Sequence, residues 1–136
     1  MASAGYSETP LAKKLGIKPG HVVALLHQPP ELLDLLEPLP DDVAFQHGLD
    51  PAPDVAIAFF TECSALRKAL DPLARAAFPD RAIWLAWPKK TSGVATDLTG
   101  DVVRAEVLAT TLVDVKVCAI SETWSGLKVV WRKAHR

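Results

Sequence analysis

The residues best suited to chemistry lie in one polar stretch, residues 87–96, which follows an apolar segment. The candidate ligand contacts in it are Trp87, Lys89, Lys90, Thr91, Ser92 and Gly93. The two lysines would supply positive charge to an anion, the two hydroxyl groups would supply hydrogen bonds, and the glycine would let the backbone approach closely. The alternative is a solvated loop whose hydroxyl groups bond to nearby backbone. The stretch lacks the glycine and lysine spacing of a P-loop, so that motif is not predicted.

Two further positions are candidate contacts for a ligand or a partner. Trp124 and Ser125 lie where a turn is predicted between the last two strands, and an indole at such a tip could anchor a partner or a planar ligand. The alternative is that Trp124 folds back over the sheet. His27 ends the first predicted strand, and its alternative is a half-exposed histidine without a functional role.

No combination of residues predicts a catalytic or a metal site. Cys63 lies near the start of a predicted helix, whose dipole would lower the pKa of the thiol. No histidine is placed beside it as a general base, and a free cysteine is usually a small buried group. The four histidines lack metal-ligand spacing. Asp97 or Thr99 is expected to cap the helix that follows, and the alternative is that the Asp97 carboxylate contacts a ligand or a metal. The residues do not indicate a particular cofactor.

Composition narrows the class of protein. The chain has 136 residues, 49% of them hydrophobic and 23% charged, which suits one folded domain over residues 1–136. A net charge of -1 lacks the basic excess typical of nucleic-acid binding. Cys63 and Cys118 make no disulfide framework, and no segment reads as a signal peptide or a membrane span. We therefore expect a cytoplasmic protein that binds neither nucleic acid nor membrane.

Apolar strands alternate with amphipathic helices along the chain, a pattern typical of a parallel sheet covered by helices. Strands are predicted at residues 21–27, 55–60 and 82–87, with a weaker one at 42–46, and the main helices at 62–77 and 99–111. Pro72 should kink or break the first of these helices. Residues 113–121 and 127–132 predict an antiparallel hairpin around a turn at 122–126. The predicted fold class is therefore α/β, a Rossmann-like three-layer sandwich with a mostly parallel sheet and a C-terminal antiparallel hairpin.

The order of elements after residue 55 carries a first resemblance. This part of the chain resembles the second half of class I methyltransferases. Its elements are a strand, a helix, a Pro-Asp-Arg turn at 79–81, the strand segment Ile-Trp-Leu-Ala-Trp at 83–87, a helix and a closing hairpin. The resemblance implies architecture. Such enzymes need a glycine-rich turn after the first strand, whereas residues 27–31 read His-Gln-Pro-Pro-Glu. Cofactor binding in the usual mode is therefore not expected.

A second resemblance covers nearly the whole chain. It rests on Gly-Tyr-Ser-Glu-Thr-Pro-Leu-Ala-Lys-Lys-Leu-Gly-Ile-Lys at 5–18 and Trp-Pro-Lys-Lys-Thr-Ser-Gly-Val-Ala-Thr-Asp-Leu at 87–98. It continues with Val-Asp-Val-Lys-Val-Cys-Ala at 113–119 and Trp-Ser-Gly-Leu at 124–127. Together these segments resemble a family of small bacterial proteins of unknown function. The resemblance implies no activity, substrate or cofactor.

Three functional hypotheses follow. The first is a non-catalytic binding module for a protein partner or a small anionic ligand, at the edge where the parallel strands end. The second is an enzyme related to methyltransferases with a degenerate cofactor loop. The third is a homo-oligomeric interaction protein whose hairpin pairs or packs across a two-fold axis. We favour the first, because the polar loop is present and no catalytic constellation is recognised.

Overall fold

The computed structural model describes residues 9–136, which form a six-stranded sheet between two layers of helices. The elements in chain order are α1 (Leu11–Lys14), β1 (Val22–Leu26), α2 (Leu32–Leu35), β2 (Ala44–Gln46), β3 (Val55–Phe59), α3 (Cys63–Ala77), β4 (Ala82–Pro88), α4 (Gly100–Leu108), β5 (Leu112–Ala119) and β6 (Trp124–Trp131). Of the motif predicted at 5–18, residues 5–8 lie outside the described residues.

The strands follow the order β2-β1-β3-β4-β6-β5. Parallel pairing joins β1 to β2, β1 to β3 and β3 to β4, whereas β6 is antiparallel to both β4 and β5. The weak strand predicted at 42–46 is present as β2, at one edge of the sheet. The predicted fold class is therefore confirmed: a mostly parallel α/β sheet that closes with an antiparallel hairpin.

Both faces of the central strands β1, β3 and β4 are buried, which explains why their sequences are nearly unbroken apolar runs. Side chains alternate between faces along a strand. Ile83 and Leu85 of β4 pack with α3 and α4, and we call that side the α3–α4 face. Trp84 and Ala86 pack with α1 and α2 on the opposite α1–α2 face. Trp84 is fully buried, and its Nε1 donates to the Leu15 backbone oxygen at 2.9 Å, which ties the end of α1 to the sheet.

Pro72 does not break α3, which runs continuously from Cys63 to Ala77. Proline removes the hydrogen bond to the carbonyl four residues earlier, here that of Lys68. Both Pro72 and Lys68 lie on the exposed side of the helix, where water can bond to that carbonyl. Pro72 therefore costs α3 one hydrogen bond on its solvent side and does not interrupt the helix.

The C-terminal hairpin has a shorter turn than predicted, because β6 begins at Trp124 and pairs from there with β4. Gly126 is a strand residue opposite Cys118 and Ala86. A Cβ atom at Gly126 would lie 2.9 Å from the Ile120 side chain, so the missing side chain makes room for Ile120 over the sheet. The glycine that suggested a turn is therefore required for packing.

None of the helices in the described part of the chain is long and apolar enough to cross a bilayer.

Candidate functional site

Strands β1, β3 and β4 all end at one edge of the sheet, which we call the carboxyl edge. His27, Phe60 and Lys89 follow these strands, and β6 begins at the same edge with Trp124. In doubly wound sheets, ligands bind at this edge where the connections change face. Helix α2 follows β1 on one face and α3 follows β3 on the other. The switch point therefore lies between β1 and β3.

His27 lies at this switch point in a strained backbone conformation. Its φ is 57°, in the left-handed region, which costs a non-glycine residue about 1–2 kcal/mol. The side chain is exposed, and its ring lies edge-on to Phe60 with a centroid distance of 6.5 Å. Strained non-glycine residues of this kind cluster at functional sites.

The loops that follow β3 and β4 are joined at Thr61. The Thr96 hydroxyl donates to the Thr61 backbone oxygen at 2.6 Å, and the Asp97 backbone N–H donates to the same oxygen at 3.3 Å. The Thr96 hydroxyl also accepts from the Leu98 backbone N–H at 3.0 Å. This junction fixes the far end of the polar stretch 87–96 against the start of α3.

Asp97 caps α3 instead of the helix that follows it. Its Oδ1 accepts from the Cys63 backbone N–H at 2.7 Å, while Thr99 caps α4 by accepting from the Val102 backbone N–H at 3.2 Å. The prediction was right for Thr99, and Asp97 belongs to another helix because the β4 loop folds back over α3. The N-terminus of α3 therefore already holds a carboxylate, which would repel an anionic ligand there.

The pKa of the Cys63 thiol is raised, opposite to the shift expected from its place at a helix start. Desolvation of the half-buried thiol raises it most. Arg67 acts in the opposite direction, but Glu106 and Asp97 raise the pKa further because negative neighbours disfavour a thiolate. The thiol therefore stays protonated at neutral pH.

The backbone of the polar stretch forms a fixed turn. The Lys89 N–H donates to the Thr123 oxygen at 2.8 Å, which ties the stretch to the β5–β6 hairpin. The Lys89 oxygen accepts from both the N–H and the hydroxyl of Ser92, at 3.0 and 2.7 Å, and residues Lys90–Ser92 form a 3₁₀ turn. Gly93 ends the turn with φ 77°. Ser92 and Gly93 therefore stabilise the turn, Ser92 through its hydrogen bonds and Gly93 through its left-handed backbone conformation.

The other predicted contacts in this stretch divide into buried and exposed residues. Trp87 belongs to β4 and is only 7% exposed, so the expectation that it contacts a ligand is corrected: it is a core residue of the α3–α4 face. Lys89 is half-buried, while Lys90 and Thr91 are exposed. Neither lysine makes an ion pair with any residue in the described range 9–136.

Trp124 and Ser125 lie in β6 and not at a hairpin tip, which corrects the predicted placement. Trp124 is half-buried and packs edge-on against Phe59 of β3, with ring centroids 5.1 Å apart. The alternative in which the indole folds back over the sheet is the one observed. Ser125 is half-buried opposite Trp87.

The structure brings together only part of the predicted set. Lys89 is adjacent to the hairpin, whereas His27 follows β1, two strands or about 10 Å away. Phe60, Thr61 and Thr96 also lie at this edge and were not predicted. The strand order places the switch point beside Phe60 and would have indicated these three residues. That order is visible only in the folded sheet.

No protein-family model matches the chain, and no curated protein does either. Among solved structures, the chain is similar to a protein of the NADB-Rossmann superfamily from Streptococcus agalactiae. The TM-score is 0.53 and the identity 11%, over 92% of this chain and 69% of that protein. The fold is Rossmann-like. At this identity the similarity concerns the fold alone.

This Rossmann-like sheet differs from nucleotide-binding examples after β1. The segment there has no glycine, and α2 has only four residues, so the long glycine-rich helix start that cradles a pyrophosphate is missing from the described chain. No group of three or more His, Cys, Asp or Glu side chains within residues 9–136 could hold a metal ion. At the carboxyl edge, Lys89 and Lys90 make no ion pair within residues 9–136 and are therefore available to an anionic ligand.

Proposed function

We propose that this chain is a non-catalytic binding module that holds an anionic group at the carboxyl edge with Lys89 and Lys90. The anion belongs to a small ligand or to a protein partner, and the same charge chemistry serves both. The observation that carries the proposal is a pair of adjacent lysines on a hydrogen-bonded turn, at the ligand-binding edge, with no acidic partner among the described residues.

The surroundings of the turn direct an anion to these lysines. The N-terminus of α3 is occupied by Asp97, so an anion meets repulsion there and attraction at the 3₁₀ turn. The Lys89 backbone is bonded to Thr123 and Ser92, which reduces the entropy lost when a ligand binds. Thr91 is exposed beside the lysines and offers a hydroxyl for a further hydrogen bond.

The segments behind the family resemblance support the same region. Residues 87–98 and 124–127 lie side by side, since Pro88 pairs with Trp124 and Lys89 bonds to Thr123. The opening segment reaches the same strand, because the Leu15 oxygen accepts from Trp84 of β4. We propose that the chain belongs with that family of small bacterial proteins and that the function they share resides around β4 and β6.

The other two hypotheses have less support. An enzyme related to methyltransferases shares the Rossmann-like fold and the closing hairpin, but the turn after β1 lacks the glycines that the usual cofactor pose needs. A homo-oligomer built on the hairpin would use β5, the exposed edge strand. That strand carries an irregularity between Asp114 and Lys116, and bulges and lysines are devices that discourage edge pairing.

A thermal-shift screen tests the proposal. The purified protein is screened against inorganic phosphate, pyrophosphate, nucleotides, acyl-coenzyme A, S-adenosylmethionine and a glutamate-rich peptide. A ligand at about 100 times its Kd stabilises the fold by about 2.7 kcal/mol, a shift of several degrees in Tm. We expect an anionic compound to raise Tm in the wild type and not in the Lys89→Ala/Lys90→Ala variant. The matched control is Lys68→Ala/Lys133→Ala, which removes two exposed lysines elsewhere.

Each outcome separates the hypotheses. An anion whose shift is lost only in the Lys89/Lys90 variant supports the binding module. Stabilisation that survives in this variant, or that is lost equally in the control, contradicts it. Stabilisation by S-adenosylmethionine that does not depend on the two lysines favours the enzyme.

A further inference from the structure

A second group of lysines lies away from the 3₁₀ turn, on the outer strands of the α1–α2 face. Lys116 of β5 and Lys128 of β6 are directly opposite each other in the antiparallel ladder. Directly opposite residues project from the same face with Cβ atoms about 5 Å apart. The face is known because Lys128 also pairs with Trp84, and the Lys116 Nζ lies 6.0 Å from the centroid of the Trp84 ring.

Two more lysines approach this pair from α1 and the turn that follows it. Lys18 lies close enough to Lys128 to act on it: the pKa of Lys128 is lowered by desolvation first, and then by Lys116 and Lys18. Desolvation raises the pKa of Cys118 of β5, and Lys14 and Lys116 act against this rise, which brings Lys14 close to the same strand. We call Lys14, Lys18, Lys116 and Lys128 the basic patch. Its positive charge therefore comes from α1, the turn after α1, β5 and β6, which the fold brings together.

None of the four lysines of the basic patch makes an ion pair with a residue in the described range 9–136. Like charges placed directly opposite in a ladder destabilise a sheet, so the Lys116–Lys128 pair lowers the stability of the hairpin. A negatively charged partner that covers both ammonium groups would relieve this repulsion.

We propose that the basic patch binds an acidic segment of a protein partner. Four ammonium groups spread over α1, the turn after it, β5 and β6 match a run of several carboxylates. The patch contains no arginine fork, which is the group that recognises phosphate in a bidentate way. A chain with net charge -1 also lacks the basic excess that attracts nucleic acid.

The basic patch is a surface distinct from the carboxyl edge. Lys128 lies four residues along β6 from Trp124, which corresponds to about 13 Å. Its residues follow the outer strands, whereas Lys89 and Lys90 lie beyond the end of β4. The two surfaces can therefore be tested independently.

The probe is a fluorescently labelled octaglutamate peptide, titrated with the full chain and followed by fluorescence anisotropy at low and at physiological salt. The patch variant is Lys116→Glu/Lys128→Glu. The control, Lys68→Glu/Lys133→Glu, makes the same change in net charge at exposed lysines outside the patch. We expect the patch variant to weaken binding on the order of tenfold or more, and the control to weaken it about twofold, because local complementarity outweighs net charge.

A milder variant guards against misfolding. Lys116→Gln/Lys128→Gln removes the charges without reversing them, and it should fold at least as well as the wild type while still losing peptide affinity. Absence of peptide binding by the wild type, or equal loss in the patch and control variants, overturns the proposal. Tighter binding of pyrophosphate or of an oligothymidylate strand, lost in the patch variant, also overturns it and makes the patch a phosphate site.

Discussion

The two faces of the sheet differ in whether their charged side chains form ion pairs. On the α3–α4 face, Arg67 makes two 3.0 Å hydrogen bonds to Glu106, joining α3 to α4, and Arg104 bonds to Asp114 of β5 at 3.0 Å. On the α1–α2 face, Lys116 and Lys128 oppose each other with no such partner among the described residues. The paired charges help to fix helices, whereas the unpaired ones remain open to an external anion.

Each face is also anchored by one tryptophan, which allows a direct test of how much each layer contributes. The Trp84 Nε1 donates to Leu15 of the α1 region, and the Trp131 Nε1 donates to Ala74 of α3 at 2.7 Å. Trp84 is fully buried, whereas Trp131 is half-buried and packs edge-on against the exposed Phe78. The fully buried indole should therefore matter more.

The largest effect is expected for Trp84→Ala. Truncation of a buried aromatic residue costs about 3–5 kcal/mol, because its transfer energy is lost and a cavity remains. Trp131→Ala, the matched variant on the other face, should cost clearly less because part of its ring already contacts water. Urea denaturation of both variants gives the two free energies of unfolding. A loss at Trp131 equal to that at Trp84 would contradict the difference between the anchors.

A smaller effect is expected for Asp97→Ala, which removes the carboxylate from the N-terminus of α3. Loss of a helix cap costs about 0.5–2 kcal/mol. Asp97→Asn keeps an acceptor for the Cys63 N–H and should recover most of the loss. Asp101→Ala serves as control, since its fully exposed side chain lies 3.7 Å from Arg104 and contributes little. If Asp101→Ala is as destabilising as Asp97→Ala in urea, the capping role is wrong.

Much of the fold could be predicted because local patterns determine it. The apolar runs around Ala24, Ile57 and Leu85 are long enough to require strands buried on both faces, and helices between them require parallel pairing. The short strand β2 was predicted from only a few residues, and it is stabilised mainly by pairing with β1. The fold class can therefore be predicted from the hydrophobic periodicity of the sequence. Contacts between segments that are distant in sequence cannot be predicted in this way.

The site was harder to predict because its bonds join residues far apart in sequence. Asp97 caps a helix that starts 34 residues earlier, and nothing local distinguishes it from a cap for α4. Gly126 has the local signal of a turn, but the packing of Ile120 and Trp84 gives it a strand position. The basic patch depends on the β5–β6 register, which sets Lys116 against Lys128.

The paired charges of the α3–α4 face predict a specific pH dependence. Arg67 lowers the pKa of Glu106 in the folded state, so this pair stabilises the fold above the ordinary glutamate value of 4.5 and loses its effect as the pH falls through the lowered value. Glu106→Gln should cost about 0.2–1 kcal/mol at pH 7. The difference between wild type and variant in urea should shrink below pH 4.5. A difference that is constant with pH would show that Glu106 acts through packing.

On the α1–α2 face, removal of a charge is expected to have the opposite effect on stability, although stability rises with pH in both cases. The pKa of Lys128 is lowered in the folded state, so the unfolded chain binds more protons, and stability contributed by this residue rises as the pH increases toward its ordinary value of 10.5. Lys128→Gln should therefore stabilise the protein by about 0.2–0.5 kcal/mol at pH 7, with the gain reduced by salt and by raising the pH. Lys68→Gln, the control, should change little. Thermal unfolding at two salt concentrations measures the difference. A loss of stability in Lys128→Gln would show that packing of the aliphatic stem of Lys128 beside Trp84 stabilises the fold more than the charge repulsion destabilises it. The two faces would then differ in packing and not in the energetic effect of their charges.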